Sequence, residues 1–415
     1  MLSIIFETFG HGCGVSSFIY QLYFFMILSA GTGIKSKLPK VGTTIFTHMS
    51  RLAEEHKAIN LAQGFPEFDC SPDLQKLVDK YVSQGKNQYA PMAGVMALRE
   101  AISRKVFAAT AADYLPESEI TITSGATEAL YVAISAIVNP GDELIVFEPA
   151  YDSYVPAIEM NGGVPVFVTL NPVYESIDWD LVAVKISDKT RAILINTPHN
   201  PTGKVWQLAD LVKLTELAVK HDLFVISDEV YEHIIFDGFT HISASSIAAL
   251  AARTFVCGSF GKTFHTTGWK IGYCLAPKDL TTEFRKIHQF MVFSVVTPFQ
   301  FAIAEFLIEP DHYLKLSAFY QKKRDLFLDS IKDIGFTIKP SEGSFFQNVD
   351  YGTLSDENDL ILAERLTREA GVASIPVSAF YDKPVNYKVL RFCFAKNDDT
   401  LLKGAELLQK SRAWY

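Results

Sequence analysis

Cysteine is scarce in this sequence. The spacing of its few cysteines does not match a metal site, and their number is odd. The 415 residues include five cysteines, and no two of them form a C-x-x-C pair. This pattern predicts neither a zinc site nor a disulfide framework, so no metal is expected. Cysteines that stay reduced are typical of the cytosol, and the cytoplasm is the expected location.

Long basic runs are also missing, which bears on the class of partner. The chain carries 38 Lys and Arg residues against 47 Asp and Glu residues, for a net charge of −9 at pH 7. A nucleic-acid-binding protein is expected to carry a basic patch that complements the phosphate backbone. Nucleic acid is therefore not an expected partner.

No hydrophobic run is long enough to cross a membrane, so no membrane partner is expected. The most apolar stretch is Ser16–Ala30 (SSFIYQLYFFMILSA). It is shorter than the ~20 residues that a membrane-spanning helix needs. No Lys or Arg precedes it, so the basic n-region of a signal peptide is missing. Three interpretations of residues 1–35 stay open. The first is a start-site artefact or a disordered extension, the second an export-like segment, and the third a helix that packs on the body. Met26 is an alternative start of the chain.

The remaining sequence is rich in alternating strand and helix patterns. Strands are predicted at 119–123, 142–147, 164–168, 191–196 and 223–226, with a helix at 129–137. This alternation predicts an α/β fold with a doubly wound, mainly parallel sheet flanked by helices. Beyond residue 334, short strands and a helix at 359–370 predict a smaller α+β region.

Small and polar residues follow several of the predicted strands. Gly125, Ala126 and Thr127 lie where a strand turns into a helix, and free backbone N–H groups at such a turn suit a phosphate. A generic strand-to-helix turn has the same sequence character. Asn200 lies in a loop after an apolar strand, where α/β folds bind ligands. Asp228 ends another such strand, where a turn or helix cap is the ordinary alternative.

Two lysines lie in the stretch Ser259–Gly272 (SFGKTFHTTGWKIG), between two apolar runs. One interpretation is a surface loop with solvated amines. The other is a desolvated lysine, whose lowered pKa supplies a neutral amine that condenses with an aldehyde to a Schiff base. The sequence alone does not separate the two.

Taken together, these motifs resemble a known family. The stretch S-x-x-K (259–262) with a basic residue eight positions after the lysine is similar to the signature of class I aminotransferases, which use pyridoxal 5′-phosphate (PLP). N-P-T-G (200–203), D-x-x-Y (228–231) and the arginine of RFCFA (391–395) follow in family order. Nearly the whole chain after residue 36 is covered, but the front extension departs from the family. The nearest likeness is the branch of methionine aminotransferase and kynurenine/glutamine transaminases.

This resemblance to fold-type-I PLP transferases implies a role for each of the matching residues. Lys262 is the expected catalytic Schiff-base lysine, and a carboxylate at Asp228 keeps the cofactor ring nitrogen protonated. The expected cofactor-binding residues are Gly125, Ala126, Thr127, Tyr151, Asn200, Asp228, Tyr231, Ser259, Lys262, Lys270 and, from the partner subunit, Tyr89. The expected substrate-binding residues are Gly64, Asn200 and Arg391, the last as a clamp for a carboxylate. His199 is interpreted as a loop histidine, not as a catalytic group.

The resemblance also implies substrates and an assembly. Small-molecule amino acids and 2-oxo acids are the expected partners, in a homodimer with shared active sites. The expected donors are thioether, aromatic or glutamine-like amino acids such as methionine and kynurenine. The apolar run 290–299 is expected to face their side chains. Residues 36–75 and 309–415 are expected to form the small domain, and residues 76–308 the large PLP-binding domain.

Three alternatives to an aminotransferase are considered. A cysteine-S-conjugate β-lyase uses the same site and releases pyruvate and a thiol, whereas a transaminase leaves a 2-oxo acid that keeps its side chain. A non-catalytic, cofactor-binding regulator would need a DNA-binding module, and residues 1–35 are short and poor in basic residues. A generic α/β binding protein without a cofactor requires every motif to be a coincidence.

Deletion of residues 2–35 should leave a soluble, active protein, because no predicted site residue lies there. The check compares soluble yield, bound cofactor and specific activity between the full-length and shortened chains. Aggregation or loss of cofactor after the deletion would show instead that this segment packs on the body.

Overall fold

The structure is a computed structural model that describes residues 35–173 and 176–412. The interpretations offered for Ser16–Ala30 and Met26 lie outside these described residues. The described residues from 41 onward belong to one compact unit. Residues 35–40 belong to a separate unit and form only turn and irregular structure. No helix within the described ranges is both long and apolar enough to span a membrane.

Twelve strands occur in the described residues. They are β1 (Ile59–Asn60), β2 (Ile120–Thr123), β3 (Glu143–Glu148), β4 (Val164–Thr169), β5 (Thr190–Asn196), β6 (Phe224–Asp228), β7 (Thr254–Ser259), β8 (Gly272–Leu275), β9 (Phe346–Asp350), β10 (Val372–Ala373), β11 (Ile375–Pro376) and β12 (Val389–Cys393).

The α-helices of the described residues fall between and around these strands. They are α1 (Ile45–Glu55), α2 (Pro72–Ser83), α3 (Met96–Thr110), α4 (Gly125–Ile137), α5 (Tyr154–Met160), α6 (Trp179–Lys185), α7 (Leu208–Lys220), α8 (Ala248–Ala251), α9 (Phe260–Thr263), α10 (Lys278–Met291), α11 (Thr297–Phe306), α12 (Asp311–Leu314), α13 (Leu316–Ile331), α14 (Asp359–Arg365) and α15 (Asp398–Lys410). A π-helical turn, Leu366–Ala370, follows α14.

A seven-stranded sheet forms the centre of the fold, in the order β2-β8-β7-β6-β5-β3-β4. All neighbouring pairs are parallel except those of β8, which runs antiparallel to β2 and β7. Strands β5 and β6 are almost wholly buried, in keeping with their continuous apolar sequences. The predicted mainly parallel sheet flanked by helices is confirmed.

The register of the central strands brings their carboxyl ends to one edge. Asn196 at the end of β5 pairs with Asp228 at the end of β6, and Asp228 pairs with Cys257 in β7. β7 then runs on to Ser259 and directly into α9. Because parallel strands end on the same side of a sheet, polar residues from distant parts of the sequence meet there.

Arg391 lies in a separate three-stranded antiparallel sheet of order β11-β12-β9. It occupies the central strand, β12, and is 1% exposed, which excludes the surface edge-strand alternative. β1 near the start of the described chain pairs with β10 near its end, with Ile59 opposite Val372. This pairing agrees with a small domain built from both ends of the chain, although the exact domain boundaries stay a prediction.

Several predicted boundaries shift in the structure. Helix α4 begins at Gly125, four residues before the predicted start, with the Glu128 side chain bound to the backbone N–H of Ser124. The sequence also predicts a long helical region at 301–334 that is interrupted near Pro310, and the structure divides it among α11, α12 and α13. Its break at Pro310 agrees with the sequence, because proline supplies no N–H for a continuous helix.

Candidate active site

One cavity of about 250 Å³ lies at the carboxyl edge of the central sheet. It is lined by residues from the central sheet, from the loop after β1 and from β12. Twelve of the thirteen predicted site residues line it: Gly64, Gly125, Ala126, Thr127, Tyr151, Asn200, Asp228, Tyr231, Ser259, Lys262, Lys270 and Arg391. The exception is Tyr89, which is 81% exposed. His199 is not in the lining, and its Nδ1 lies 2.7 Å from the Thr202 hydroxyl.

Lys262 lies in the single turn of α9, directly after β7. Its Nζ donates a hydrogen bond to the carbonyl oxygen of Gly64 at 3.2 Å. Burial lowers the pKa of Lys262 to about 8, with Cys393 and Asp228 acting in the opposite direction. A lysine with this pKa carries a usable fraction of neutral amine near neutral pH. Of the two interpretations of the Ser259–Gly272 stretch, the desolvated amine agrees with this geometry.

Asp228, 4% exposed, faces the cavity from the end of β6. Burial raises the pKa of Asp228 to about 6, although a hydrogen bond from Tyr154 opposes that rise. The Tyr154 hydroxyl donates to Asp228 Oδ2 at 2.6 Å. Burial raises the pKa of Tyr154 well above its ordinary value, so the hydroxyl keeps its proton and the carboxylate its hydrogen bond. The sequence interpretation missed Tyr154, and its spacing of three residues after Tyr151 was the available signal.

Arg391 enters the cavity beside Asn200. Its Nη1 donates to Asn200 Oδ1 at 2.9 Å, and its Nη2 donates to the carbonyl oxygen of Ala62 at 3.0 Å. The guanidinium lies 3.9 Å from the ring centroid of Phe346, whereas Nε is buried without a protein acceptor. Burial lowers the pKa of Arg391 to about 10, which leaves it cationic at neutral pH. A buried cation with a vacant donor suits a carboxylate ligand.

The start of α4 forms a cradle of small residues together with two side chains from the β7–β8 connection, Ser259 and Lys270. A Cβ on Gly125 would lie 3.3 Å from the Lys270 ammonium, so the lysine closes directly over the first turn of the helix. Lys270 itself has φ 56°, a left-handed conformation that is uncommon for a residue with a side chain. Backbone N–H groups at a helix start and an adjacent ammonium suit a phosphate.

A close backbone approach holds this cradle against the sheet. A Cβ at Gly272 would lie 2.7 Å from the carbonyl carbon of Gly125. Strand β8 therefore reaches the start of α4 at a distance that only glycine permits.

The expectation that the run 290–299 faces the cavity is wrong for this chain. None of its residues is among the lining residues of the cavity. Phe290 is 91% exposed, and Phe299 stacks on Trp269 with ring centroids 4.6 Å apart. The run joins the end of α10 to the start of α11 over the outside of the unit. The apolar rings in the lining are instead those of Phe46, Phe65 and Phe346, and the sequence interpretation did not identify them as lining residues.

The donor set of the cavity fits PLP. Lys262 suits its aldehyde, Asp228 its ring nitrogen, and Tyr231 and Asn200 its phenolic oxygen. The cradle at Gly125–Thr127 with Ser259 and Lys270 suits its phosphate. The fold and this cavity define a fold-type-I PLP-dependent enzyme.

Comparison with known proteins gives the family. A family model of class I and II aminotransferases matches residues 56–408. The chain belongs to this family, and it is a PLP-dependent aminotransferase that exchanges an amino group between an amino acid and a 2-oxo acid. The chain is 49% identical to methionine aminotransferase of Escherichia coli (strain K12), over 91% of this chain and 98% of that protein.

A second relative and a solved structure extend the comparison. Kynurenine–oxoglutarate transaminase of Dictyostelium discoideum is 35% identical, over 89% of this chain and 94% of that protein. The crystal structure of the Escherichia coli protein YbdL, for which a methionine aminotransferase function was identified, matches with a TM-score of 0.90. That match has 48% identity and covers 92% of this chain and 100% of the other.

Asp228→Asn should make the cofactor-free protein more stable at neutral pH. The folded-state pKa of Asp228, about 6, lies above its ordinary value of 3.8. The folded protein therefore binds this proton more tightly than the unfolded chain, and stability falls by about 3 kcal/mol as pH rises through 6. The variant lacks this titration, so the excess of its free energy of unfolding over that of the native chain should grow between about pH 4 and pH 7 and stay constant at higher pH.

Urea unfolding of both cofactor-free proteins across this pH range measures the difference. Asp237→Asn is a control of opposite sign, because a hydrogen bond from Arg324 lowers the pKa of Asp237. That substitution should reduce stability at neutral pH. If the difference in free energy of unfolding between Asp228→Asn and the native chain did not vary across this pH range, burial would not raise the pKa of Asp228.

Proposed function

We propose that this aminotransferase acts on L-amino acids with a thioether, aromatic or glutamine-like side chain, such as methionine or kynurenine. The observation that carries the proposal is the composition of the cavity. Two of its apolar rings, those of Phe46 and Phe346, lie against one buried guanidinium, that of Arg391, which has an unpaired Nε donor. This arrangement suits a substrate with one carboxylate and an uncharged side chain.

Charge and burial both favour such a substrate. Among the described residues, the cations in the lining are Lys262, Lys270 and Arg391. If Lys262 and Lys270 serve the cofactor, a second carboxylate on the substrate lacks a cation within this chain. Burying an unpaired charge costs several kcal/mol, whereas burying an apolar side chain gains roughly 1.5–3 kcal/mol.

The named relatives support the same substrate class. They include a methionine aminotransferase and kynurenine–oxoglutarate transaminases. Both names describe transamination, which favours that reaction over the β-lyase alternative.

In the proposed mechanism, Arg391 holds the substrate carboxylate and Lys262 moves the proton of the substrate α-carbon. Bound PLP supplies the electron sink that acidifies this carbon. The lowered pKa of Lys262, about 8, suits an amine that accepts a proton and later returns it. In the cofactor-free chain, the hydrogen bond from Lys262 to the carbonyl oxygen of Gly64 keeps the amine directed into the cavity.

The other lining residues orient the cofactor in this proposal. Asp228 provides a fixed carboxylate for the ring nitrogen, and Tyr154 keeps that carboxylate oriented. Asn200 and Tyr231 would hold the phenolic oxygen of the cofactor, and Tyr151 would lie beside its ring. Burial raises the pKa of Tyr231 well above its ordinary value, so its hydroxyl remains a donor.

The proposed assembly is a cytoplasmic homodimer in which each subunit completes the site of the other. The exposure of Tyr89 supports this arrangement, since an 81% exposed tyrosine at the edge of Phe293 is free to reach another subunit. The negative net charge and reduced cysteines agree with a cytoplasmic enzyme.

Lys262→Ala should abolish the visible absorption band of the lysine-bound cofactor and reduce transamination at least about a thousandfold. The control is Lys204→Ala, which removes an ion pair with Glu342 outside the cavity and should keep both properties. An unchanged spectrum and rate in Lys262→Ala would overturn the proposed mechanism.

The kcat/KM for methionine should exceed that for aspartate at least about a hundredfold with one common 2-oxo acid acceptor. Glutamine against glutamate is the matched pair, because these side chains differ in charge at nearly equal size. Steady-state assays of all four donors measure both ratios. If aspartate equals methionine, a second cation must reach the substrate and the proposed specificity is wrong.

A further inference from the structure

A buried carboxylate outside the assigned site binds the backbone of the phosphate cradle. Glu128 lies in the first turn of α4, and its side chain is 6% exposed. One carboxylate oxygen accepts the backbone N–H of Ser124, which immediately precedes the cradle. The other lies 2.5 Å from His288 Nδ1, on α10. Glu128 therefore joins the cradle to a helix 160 residues farther along the chain.

His288 is fully buried and faces an acceptor on both sides. Its Nδ1 meets the Glu128 carboxylate, and its Nε2 lies 2.9 Å from the carbonyl oxygen of Met92. A carbonyl oxygen cannot donate, so Nε2 carries a hydrogen. The short contact at Nδ1 places a second proton between imidazole and carboxylate. The shared proton therefore balances the negative charge of the Glu128 carboxylate, which would be costly to bury alone.

Met92 belongs to the loop that carries Tyr89, and this loop is bound by three side chains between the last turns of α10 and the first residue of α11. Three side chains bind every second carbonyl of the loop: Thr297 bonds Gln88 at 2.6 Å, Ser294 bonds Ala90 at 3.0 Å, and His288 bonds Met92 at 2.9 Å. These bonds tie the loop to the neighbouring residues 288–297, while Tyr89 stays exposed. His288 is the one of these three donors that also contacts Glu128.

We propose that Glu128 and His288 are positioning residues for the cofactor phosphate, which couple the cradle at the start of α4 to the loop of Tyr89. This inference rests on the proposed role of Gly125–Thr127 as the phosphate site. By capturing the Ser124 N–H, Glu128 fixes the turn from β2 into α4, so the following N–H groups keep their direction toward the cavity. His288 balances the Glu128 charge, which would otherwise repel a phosphate at the same helix start.

Loss of the Glu128 carboxylate should weaken binding of PLP but not of pyridoxal, which lacks the phosphate. Glu128→Met keeps the side-chain volume and leaves the Ser124 N–H without its acceptor. The dissociation constant of PLP should then rise on the order of 10- to 100-fold, while that of pyridoxal should change less than about threefold. Fluorescence titration of the full-length chain, stripped of cofactor, with each compound measures both constants.

Glu128→Gln, unlike Glu128→Met, should keep the native preference for PLP over pyridoxal, measured as the ratio of their dissociation constants. Its amide oxygen can accept the Ser124 N–H, and its NH2 group can donate to a neutral His288 that still donates to Met92. The matched control is Glu342→Met. Glu342 is also a buried carboxylate that accepts a backbone N–H, from Val205 at 3.0 Å, and pairs with a cation, Lys204, at 2.9 Å. It does not line the cavity, so its loss should leave the ratio of the two constants unchanged.

The inference is overturned if Glu128→Met weakens both ligands equally, which would indicate a purely structural pair, or if it weakens neither. Should that variant fail to fold, His288→Met provides the same comparison. It leaves an uncompensated carboxylate that repels the phosphate, so selectivity should again fall. A native chain that binds PLP no better than pyridoxal would count instead against the proposed phosphate site.

Discussion

The burial of three charged groups around one cavity is the constraint on which the site depends. Lys262, Asp228 and Arg391 all line the cavity, and none forms a salt bridge with another described residue. Burial is the leading cause of the pKa shift of each group. It raises the pKa of Asp228 and lowers the pKa values of Lys262 and Arg391, so it favours the neutral form of each. Such an arrangement costs stability, and the surrounding fold must supply the difference. Because burying these unpaired charges is unfavourable, a ligand of complementary charge is bound more favourably at each of them.

Dipolar partners, not ions, hold these charges in place. The Tyr154 hydroxyl serves Asp228, the Gly64 carbonyl serves Lys262, and the Asn200 amide oxygen serves Arg391. Each partner orients its charge without neutralising it. The charges therefore remain available to a cofactor and a carboxylate substrate, which agrees with the aminotransferase family to which the chain belongs.

The two sheets divide the chemistry between them. The parallel sheet presents Asp228 and the Lys262 turn at its carboxyl edge, whereas the three-stranded sheet presents Arg391. The two parts meet at the loop after β1, where the carbonyl groups of Ala62 and Gly64 contact Arg391 and Lys262 respectively. Proposed substrate recognition thus depends on how these two sheets are held together.

The sequence by itself determined the features that are encoded locally. Apolar runs predicted five of the seven strands of the central sheet, β2 to β6. The motifs around Asn200, Asp228 and Lys262 placed polar residues after apolar runs. Parallel strands end together, so these motifs already implied a common site. Only the tertiary structure decided which distant side chains meet: Tyr154 with Asp228, Arg391 with Asn200, and Glu128 with His288. It also turned the aromatic run 290–299 away from the cavity and lined that cavity with Phe46, Phe65 and Phe346. The physical reason is that a side chain's apolar character predicts burial or contact, but its partner is set by the packing of segments far apart in the chain.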